Sequence, residues 1–161
     1  MFEKFISRIH NPITFRLFLL KKLPAAYFSR VRVRYVDQEK CVVTVPYKWF
    51  TKNPFHSTYF ACLSMAAEMS TGVLAAGHVY GLKPPVSMLV RKIEGNFIKK
   101  ARGTVSFTSE DGLRMEAMIK ETMATGKSTS VNAYSTGKDE EGDTVAEFVI
   151  TWSFKVKLPG E

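Results

Sequence analysis

The chain has 161 residues, a length that suits one folded domain. Hydrophobic residues make up 45% and charged residues 24%, a globular composition that argues against a disordered chain. The net charge of +8 favours anionic partners, and no apolar run reaches the roughly 20 residues of a membrane span.

The first 23 residues contain two predicted helices separated by Asn11-Pro12. Apolar residues recur at helical spacing from Phe2 to Ile13, and a second helix follows to about residue 23. Its apolar stretch of about four residues is too short for a secretory signal, so we expect a cytoplasmic protein. Two interpretations of this extension (1–28) stay open: a helical flap packed on the domain, or a basic element that touches a membrane without stable insertion.

The rest of the chain alternates between strand and helix patterns. Period-two alternation predicts strands over 30–36, 40–45, 86–98, 102–108, 128–135 and 144–156. In the first strand we expect Val31, Val33 and Tyr35 on one face and three arginines on the other. A long helix is predicted over 57–76 and an amphipathic helix over 111–124. Four aromatic residues are expected in the core or in pocket walls: Trp49, Phe148, Trp152 and Phe154.

This order of elements indicates an α+β fold with an antiparallel sheet around one apolar helix. We expect a single domain, 1–161, with its core at 29–158. The two cysteines are too few for a disulfide scaffold or a thiolate metal site, and the three histidines are scattered, so no metal is expected.

The long predicted helix carries a solitary carboxylate. Between Asn53 and Leu82 the one formally charged residue is Glu68, and most of its neighbours are apolar. A helix that is apolar nearly all round is buried, and a buried carboxylate is costly unless it is paired or neutralised. We therefore expect Glu68 to line a crevice, the alternatives being a rim position or a pair with an arginine. Its helix face carries small and polar residues: Ser57, Ala61, Ser64 and Thr71.

The start of this helix favours negative charge. Ser57 or Thr58 can cap it, and its free N–H groups and dipole would polarise a carbonyl lying across its N-terminus. Glu68 lies roughly 15 Å further along the axis. One copy of the helix therefore cannot serve the same carbonyl with both its N-terminus and Glu68, whereas a partner subunit can.

An alanine-rich helix wrapped by an antiparallel sheet resembles the hotdog fold. The stretch from Val45-Pro46 through Asn53 to Glu68 resembles the phenylacetate-type acyl-CoA thioesterases, in a divergent branch whose central helix carries a glutamate. The resemblance covers roughly residues 24–158. In that family a His-Gly-Gly triplet opens the helix, and here Tyr59-Phe60-Ala61 takes its place.

The resemblance implies that Glu68 acts as nucleophile or general base on a thioester and that Asn53 orients water or the carbonyl from the other subunit. The backbone N–H of Phe60 can still donate to that carbonyl. The implied substrate is an acyl-CoA-type molecule, with coenzyme A as part of the substrate and no separate cofactor. A homodimer or a dimer of dimers is implied as well. The implied substrate-binding residues surround the start of the helix: His56, Ser57, Thr58, Tyr59, Phe60 and Ser64.

Competing functions stay open beside the thioesterase. A noncatalytic module that binds acyl-CoA or a lipid-like ligand is favoured by the missing triplet. A dehydratase acting on hydroxyacyl thioesters ranks last, because no histidine stands at position 59. Nucleic-acid binding is not expected, since basic residues are only weakly interleaved with aromatics.

Two clusters of basic residues can be interpreted either as a rim that binds the phosphates of coenzyme A or as a solvated face. The first cluster is Lys99, Lys100 and Arg102, and the second is Arg30, Arg32 and Arg34.

Overall fold

The computed structural model describes residues 1–157, so the predicted core boundary at residue 158 lies outside the described residues. Three helices come first: α1 (Phe2–His10), α2 (Pro12–Lys22) and α3 (Pro24–Phe28). The remaining elements are β1 (Arg32–Val36), β2 (Cys41–Val45), α4 (Phe60–Val79), β3 (Val86–Phe97), β4 (Val105–Ser109), α5 (Gly112–Thr125), β5 (Thr129–Lys138) and β6 (Thr144–Val156). A turn of 3-10 helix, Trp49–Thr51, lies between β2 and α4.

The boundaries of the N-terminal helices follow from asparagine and proline chemistry. The side chain of Asn11 caps α2 by accepting hydrogen bonds from the N–H groups of Ile13 and Thr14, both at 3.1 Å. Pro24 ends α2 as expected, and it is also the first residue of α3, a short helix that was not predicted from the sequence. Proline is tolerated in the first turn because that N–H has no acceptor within the helix.

All six strands form one antiparallel sheet in the order β1-β2-β4-β5-β6-β3. α4 packs against one face of this sheet and forms the centre of the core. The predicted α+β class, the central helix and the N-terminal helical extension are confirmed, and the architecture is the hotdog fold. β1 and β3 are the two edge strands, so the edge of β3 that faces away from β6 carries no partner strand within residues 1–157.

The pairing of β1 with β2 slips by one residue between Val33 and Tyr35. After the slip, Val36 enters the core at 3% exposure, whereas Tyr35 is 49% exposed. The expected apolar face is therefore wrong at Tyr35, because an irregularity of one residue reverses which side chains face the core.

A similar slip in β3, between Val90 and Lys92, determines which side chains of this edge strand point to the same side of the sheet as α4. Beyond it, Ile93 and Phe97 pair with residues of β6 that are fully buried on the helix side, Ile150 and Ala146. Ile93 and Phe97 therefore point to the same side as α4, yet they are 46% and 48% exposed. α4 covers this end of the sheet only in part, through the ring of Phe60 against Phe97, which leaves an apolar surface exposed to solvent.

α4 combines apolar burial with a few internal hydrogen bonds. By length and composition it could cross a membrane, but 61% of its apolar window is buried inside the domain, which identifies it as a core helix. Ser70 Oγ lies 2.8 Å from Ser135 Oγ on β5, and Trp152 Nε1 on β6 donates to Thr71 Oγ1 at 2.9 Å. These bonds fix the rotation of α4 against the sheet.

Three of the four aromatic residues expected in the core are buried there: Phe148, Trp152 and Phe154. The expectation is wrong for Trp49, which is 79% exposed. Trp49 begins the 3-10 turn beyond β2, so it does not share the inward alternation of the strands.

Candidate active site

α4 begins at Phe60, and neither Ser57 nor Thr58 caps it. The N-cap residue is Tyr59, whose side chain makes no capping hydrogen bond. Thr58 instead forms a β-bridge with Lys52, which holds the preceding segment in an extended conformation. The predicted cap is therefore wrong, because this bridge places the first helical turn after Thr58.

The uncapped start of α4 presents free donors. Within residues 1–157 the N–H groups of Phe60 and Ala61 have no acceptor, whereas the N–H of Cys62 donates to the carbonyl of Tyr59 at 2.9 Å. Free N–H groups at a helix N-terminus attract negative charge, and the helix dipole adds to this effect. This terminus can therefore bind the oxygen of a polarised carbonyl.

Asn53 organises the loop that leads into α4. Its Oδ1 accepts hydrogen bonds from the N–H groups of Phe55 (2.9 Å) and Ser57 (3.2 Å), and its Nδ2 donates to Ser57 Oγ (3.1 Å). All hydrogen bonds of this side chain in the described chain stay within residues 53–58. Asn53 shapes its own loop, and its role toward a substrate bound by another subunit stays a prediction.

A cleft of about 540 Å³ opens beside the start of α4. Its walls come from this loop, the first turn of α4 and the chain that follows β3. Three of the predicted site residues do not line it: His56, which is exposed at the tip of the loop, Ser64 and Glu68. The other five do: Asn53, Ser57, Thr58, Tyr59 and Phe60.

Thr58, which lines this cleft, has an unsatisfied hydroxyl group. The residue is 4% exposed, and Oγ1 has no hydrogen-bond partner within the described part of the chain. Leaving a buried polar atom unpaired costs roughly 1–3 kcal/mol. The hydroxyl can recover that cost by hydrogen bonding to a ligand in the cleft.

Aromatic rings form one wall of the cleft, at the positions where the thioesterase family that the sequence resembles has glycines. The rings of Tyr59 and Phe60 lie 4.8 Å apart between centroids, and Phe60 meets Phe97 edge-on at 6.3 Å. Tyr59 and Phe60 are 45% and 55% exposed. An apolar surface therefore borders the free N–H groups.

The predicted basic rim is reduced at this cleft. Lys99 lines it, but its Nζ is 2.8 Å from Asp139, 2.6 Å from Asp143 and 3.3 Å from Glu141. These carboxylates, with Asp139 making the largest contribution, raise the pKa of Lys99 and neutralise its charge. Lys100 also lines the cleft and forms no ion pair within residues 1–157, so it is the cation available there.

Glu68 lies on a half-buried face of α4 without a partner. Within residues 1–157 its carboxylate makes no ion pair or hydrogen bond, and burial raises its pKa. Oε1 is 2.9 Å from the point that a Cβ on Gly72 would occupy, and Trp152 Cζ2 is 3.1 Å from that point. The lack of a side chain at Gly72 thus makes room for the carboxylate beside the indole.

The stripe around Glu68 differs from the prediction at one position. Ser64 and Gly72, one turn before and one turn after, are half-buried like Glu68. Thr71 is fully buried and donates to the backbone carbonyl of Glu68 at 2.9 Å, so it belongs to the core. Ser64 Oγ donates to the carbonyl of Phe60 at 2.9 Å. Gly72 was not predicted as a site residue, because a glycine has no side chain that would suggest a role.

The two halves of the predicted site are separate within one chain. Glu68 follows Phe60 by eight residues, about 12 Å along the axis. The free N–H groups and the carboxylate of one chain therefore do not meet at one reacting carbonyl.

Residues 14–154 match the family described as a domain of unknown function, DUF4442. The chain belongs to this family. No curated protein sequence matches it.

The DUF4442 chain shares its fold with several solved structures at low sequence identity. PA5026 of Pseudomonas aeruginosa, a protein of unknown function described as a probable thioesterase, is 18% identical, with a TM-score of 0.76 over 91% of this chain and 97% of that one. Thioesterase HI1161 of Haemophilus influenzae is 14% identical, with a TM-score of 0.62 over 90% and 92%. A variant of thioesterase PA1618 of P. aeruginosa is 13% identical, with a TM-score of 0.66 over 87% and 91%.

Proposed function

We propose that this protein is a thioester hydrolase that acts on acyl-CoA, with Glu68 as general base or nucleophile. The observation that carries the proposal is the unpaired, half-buried carboxylate of Glu68, whose pKa is raised by burial. A carboxylate with a raised pKa takes up a proton from water more readily near neutral pH. The fold shared with proteins named thioesterases supports the reaction class.

A second copy of the chain completes the site in this proposal. The apolar surface at Ile93 and Phe97 lies on the helix side of edge strand β3, and Trp152, beside Glu68, pairs with Val90 of the same strand. A homodimer formed along this edge covers exposed apolar side chains. It also brings the start of α4 of one copy toward Glu68 of the other.

In this mechanism one subunit binds the carbonyl oxygen of the thioester, and the other activates the water molecule. The thioester carbonyl oxygen accepts hydrogen bonds from the free N–H groups of Phe60 and Ala61 and from the Thr58 hydroxyl, which stabilise the negative charge that develops there. Glu68 of the other copy takes a proton from water, whose oxygen attacks the carbonyl carbon. The carbon–sulfur bond then breaks, and the thiolate leaving group takes the proton from Glu68.

The substrate follows from the surroundings of the cleft. The wall of Tyr59, Phe60 and Phe97 suits an apolar or aromatic acyl group, and Lys100 suits a phosphate of coenzyme A. The coenzyme A carrier, the cytoplasmic location and the choice between a dimer and a dimer of dimers stay predictions.

The first test separates the carboxylate from the helix terminus. Glu68→Gln keeps the size of the side chain and removes the base, so hydrolysis of a panel of acyl-CoA thioesters should fall by about 100-fold or more. Phe60→Pro removes one N–H at a helix position that tolerates proline, and Tyr59 already has the extended backbone (φ −61°, ψ 133°) that precedes proline. Its matched control, Phe60→Ala, removes the ring and keeps the N–H, and should retain more activity.

Subunit mixing then tests whether the site is shared. Glu68→Gln and Phe60→Pro homodimers should each be nearly inactive. After unfolding and refolding together, half of the dimers are mixed, and each mixed dimer has one of its two sites intact, so about a quarter of wild-type activity should return. If Glu68→Gln turns over like the wild type, the role of Glu68 is wrong; if mixing restores nothing, the shared site is wrong.

A noncatalytic binding protein is the second candidate, because the exposed rings of Tyr59 and Phe60 flank the helix terminus where the related family has glycines. In this case acyl-CoA binds in a calorimetric titration without turnover over the whole panel. Glu68→Gln then leaves the affinity unchanged, whereas Phe60→Ala weakens it.

A further inference from the structure

α2 exposes large apolar side chains to solvent, beside Lys21 and Lys22. Leu19 faces the core at 1% exposure, whereas Ile13 is 73%, Leu17 50% and Phe18 50% exposed. A surface helix normally carries polar residues on its outward side. Within residues 1–157, no other element covers these apolar side chains.

A second group of exposed aromatic side chains lies on α3 and the 3-10 turn, and Arg16 of α2 lines the crevices beside both groups. Phe28 of α3 and Phe50 lie 6.0 Å apart between ring centroids and are 53% and 51% exposed. Trp49 is 79% exposed, and it lines the same crevice as Phe28 and Arg16 of α2. We call this the N-terminal surface, defined by Ile13, Leu17, Phe18, Phe28, Trp49 and Phe50.

The N-terminal surface lies in a part of the chain without carboxylates. From Lys4 to Val36 there are eight basic residues and no acidic one, and Lys40 to Ala67 also has no acidic residue. Within residues 1–157, no ion pair engages the cations that belong to or flank this surface: Arg16, Lys21, Lys22, Arg30 and Lys48. The surface therefore combines exposed apolar groups with uncompensated positive charge.

Arg16 holds an unsatisfied donor inside this surface. Its guanidinium carbon lies 4.0 Å from the ring centroid of Tyr27, which fixes the side chain in place. Nη1 is buried and has no hydrogen-bond partner within the described residues. Arg16 also lines a second crevice, of about 550 Å³, together with Arg32 and Arg34. A guanidinium without an acceptor suits a phosphate oxygen.

We propose that the N-terminal surface binds the face of a bilayer that contains anionic lipids. A second copy placed symmetrically on this surface would bring like charges together, whereas anionic headgroups complement them. α2 has 11 residues, about 16 Å, so it is too short to span a bilayer and lies in the interface. An exposed tryptophan beside lysine and arginine suits the headgroup region. The proposal goes beyond hydrolysis and does not rest on it.

Vesicle cosedimentation tests the surface directly. The full chain should bind phosphatidylcholine vesicles that contain about 30% phosphatidylglycerol, bind pure phosphatidylcholine weakly, and dissociate as salt rises. Trp49→Ala, or Leu17→Ser combined with Phe18→Ser, should each weaken binding about tenfold or more. The matched control is Leu113→Ala, a 50% exposed residue on α5, which should bind like the wild type.

Tryptophan fluorescence gives a second readout that identifies the contact. Trp49 is 79% exposed and Trp152 is 4% exposed, so a blue shift on adding anionic vesicles reports mainly on Trp49. Trp49→Phe should abolish the shift, and the remaining Trp152 signal shows that the fold is intact. Glu68→Gln should bind vesicles like the wild type, which separates this proposal from the hydrolase.

Three results would overturn the proposal. One is a lack of binding to anionic vesicles at low salt by the folded wild-type protein. Another is binding that Trp49→Ala and the α2 variant leave unchanged, which indicates electrostatic adsorption elsewhere. The last is vesicle-free dimerisation that these same variants abolish, which identifies a second copy as the occupant of the surface.

Discussion

Trp152 and Thr71 join the sheet to the central helix beside Glu68. The indole Nε1 donates to Thr71 Oγ1 at 2.9 Å, and both residues are buried. Thr71 Oγ1 in turn donates to the backbone carbonyl of Glu68 at 2.9 Å. The helical turn that carries the carboxylate is therefore anchored to β6 by hydrogen bonds as well as by packing.

Removing this anchor should destabilise the fold. Trp152→Phe leaves Thr71 without its donor and removes part of a buried ring, so we expect a loss of about 2 kcal/mol in the free energy of unfolding. Urea unfolding followed by circular dichroism measures it. Trp49→Phe, the same change at a 79% exposed site, should leave stability unchanged. Equal stability of the two variants would refute the anchoring role.

Gly72→Ala should affect activity more than stability. The new Cβ would lie 2.9 Å from Glu68 Oε1 and 3.1 Å from Trp152 Cζ2, so the flexible glutamate is displaced. Alanine favours the helix by about 1 kcal/mol over glycine, which offsets much of the contact cost. We expect a thermal midpoint near that of the wild type and thioester hydrolysis reduced about tenfold or more. Wild-type turnover by Gly72→Ala would show that the observed position of the carboxylate is not required.

Glu68→Gln should stabilise the protein at neutral pH. Burial raises the pKa of Glu68 above its usual value of 4.5, because the charged form is less favourable in the folded state than in the unfolded state. Between the unfolded and folded pKa values the folded state binds more protons, and stability falls as pH rises through that window. Each pKa unit corresponds to about 1.4 kcal/mol.

The comparison of unfolding at two pH values checks this sign. The free energy of unfolding of Glu68→Gln should exceed that of the wild type most near neutral pH. This difference should shrink below about pH 4, where the glutamate is protonated in both the folded and the unfolded state. Glu147→Gln serves as the control, because it removes a carboxylate at an exposed position on β6, where the charge is not desolvated by burial. A variant less stable than the wild type at neutral pH would contradict the burial of an uncompensated charge.

Gly112→Ala should be among the most damaging single substitutions. A Cβ at this position would run into the backbone carbonyl oxygen of Gln38, and the N–H of Gly112 donates to the carbonyl of Glu39 at 3.0 Å. A backbone oxygen cannot rotate away as a side chain can, so we expect a loss of about 3 kcal/mol or more. The neighbouring change Leu113→Ala, at a 50% exposed side chain, should cost little. Similar thermal midpoints for the two variants would show that the start of α5 can shift.

The order of helices and strands could be predicted because each pattern is local. Period-two alternation marks the strands, and the uncharged run around Glu68 marks the central helix, since a helix without charged residues is buried. The same reasoning singled out Glu68 as a costly group in the core. Charge and residue type along the chain were sufficient for both conclusions.

Tertiary contacts decided the rest, because they join residues that no local pattern connects. Whether Glu68 had an arginine partner depended on which side chains the sheet brings to its face, and the described chain brings none. The bridge between Lys52 and Thr58 moved the start of the helix, and the slip in β1 turned Tyr35 outward. The fold could be predicted from the sequence because its patterns are local. The position of each hydrogen-bond donor in the site could not, because strand register and long-range pairing depend on the packing of the whole domain.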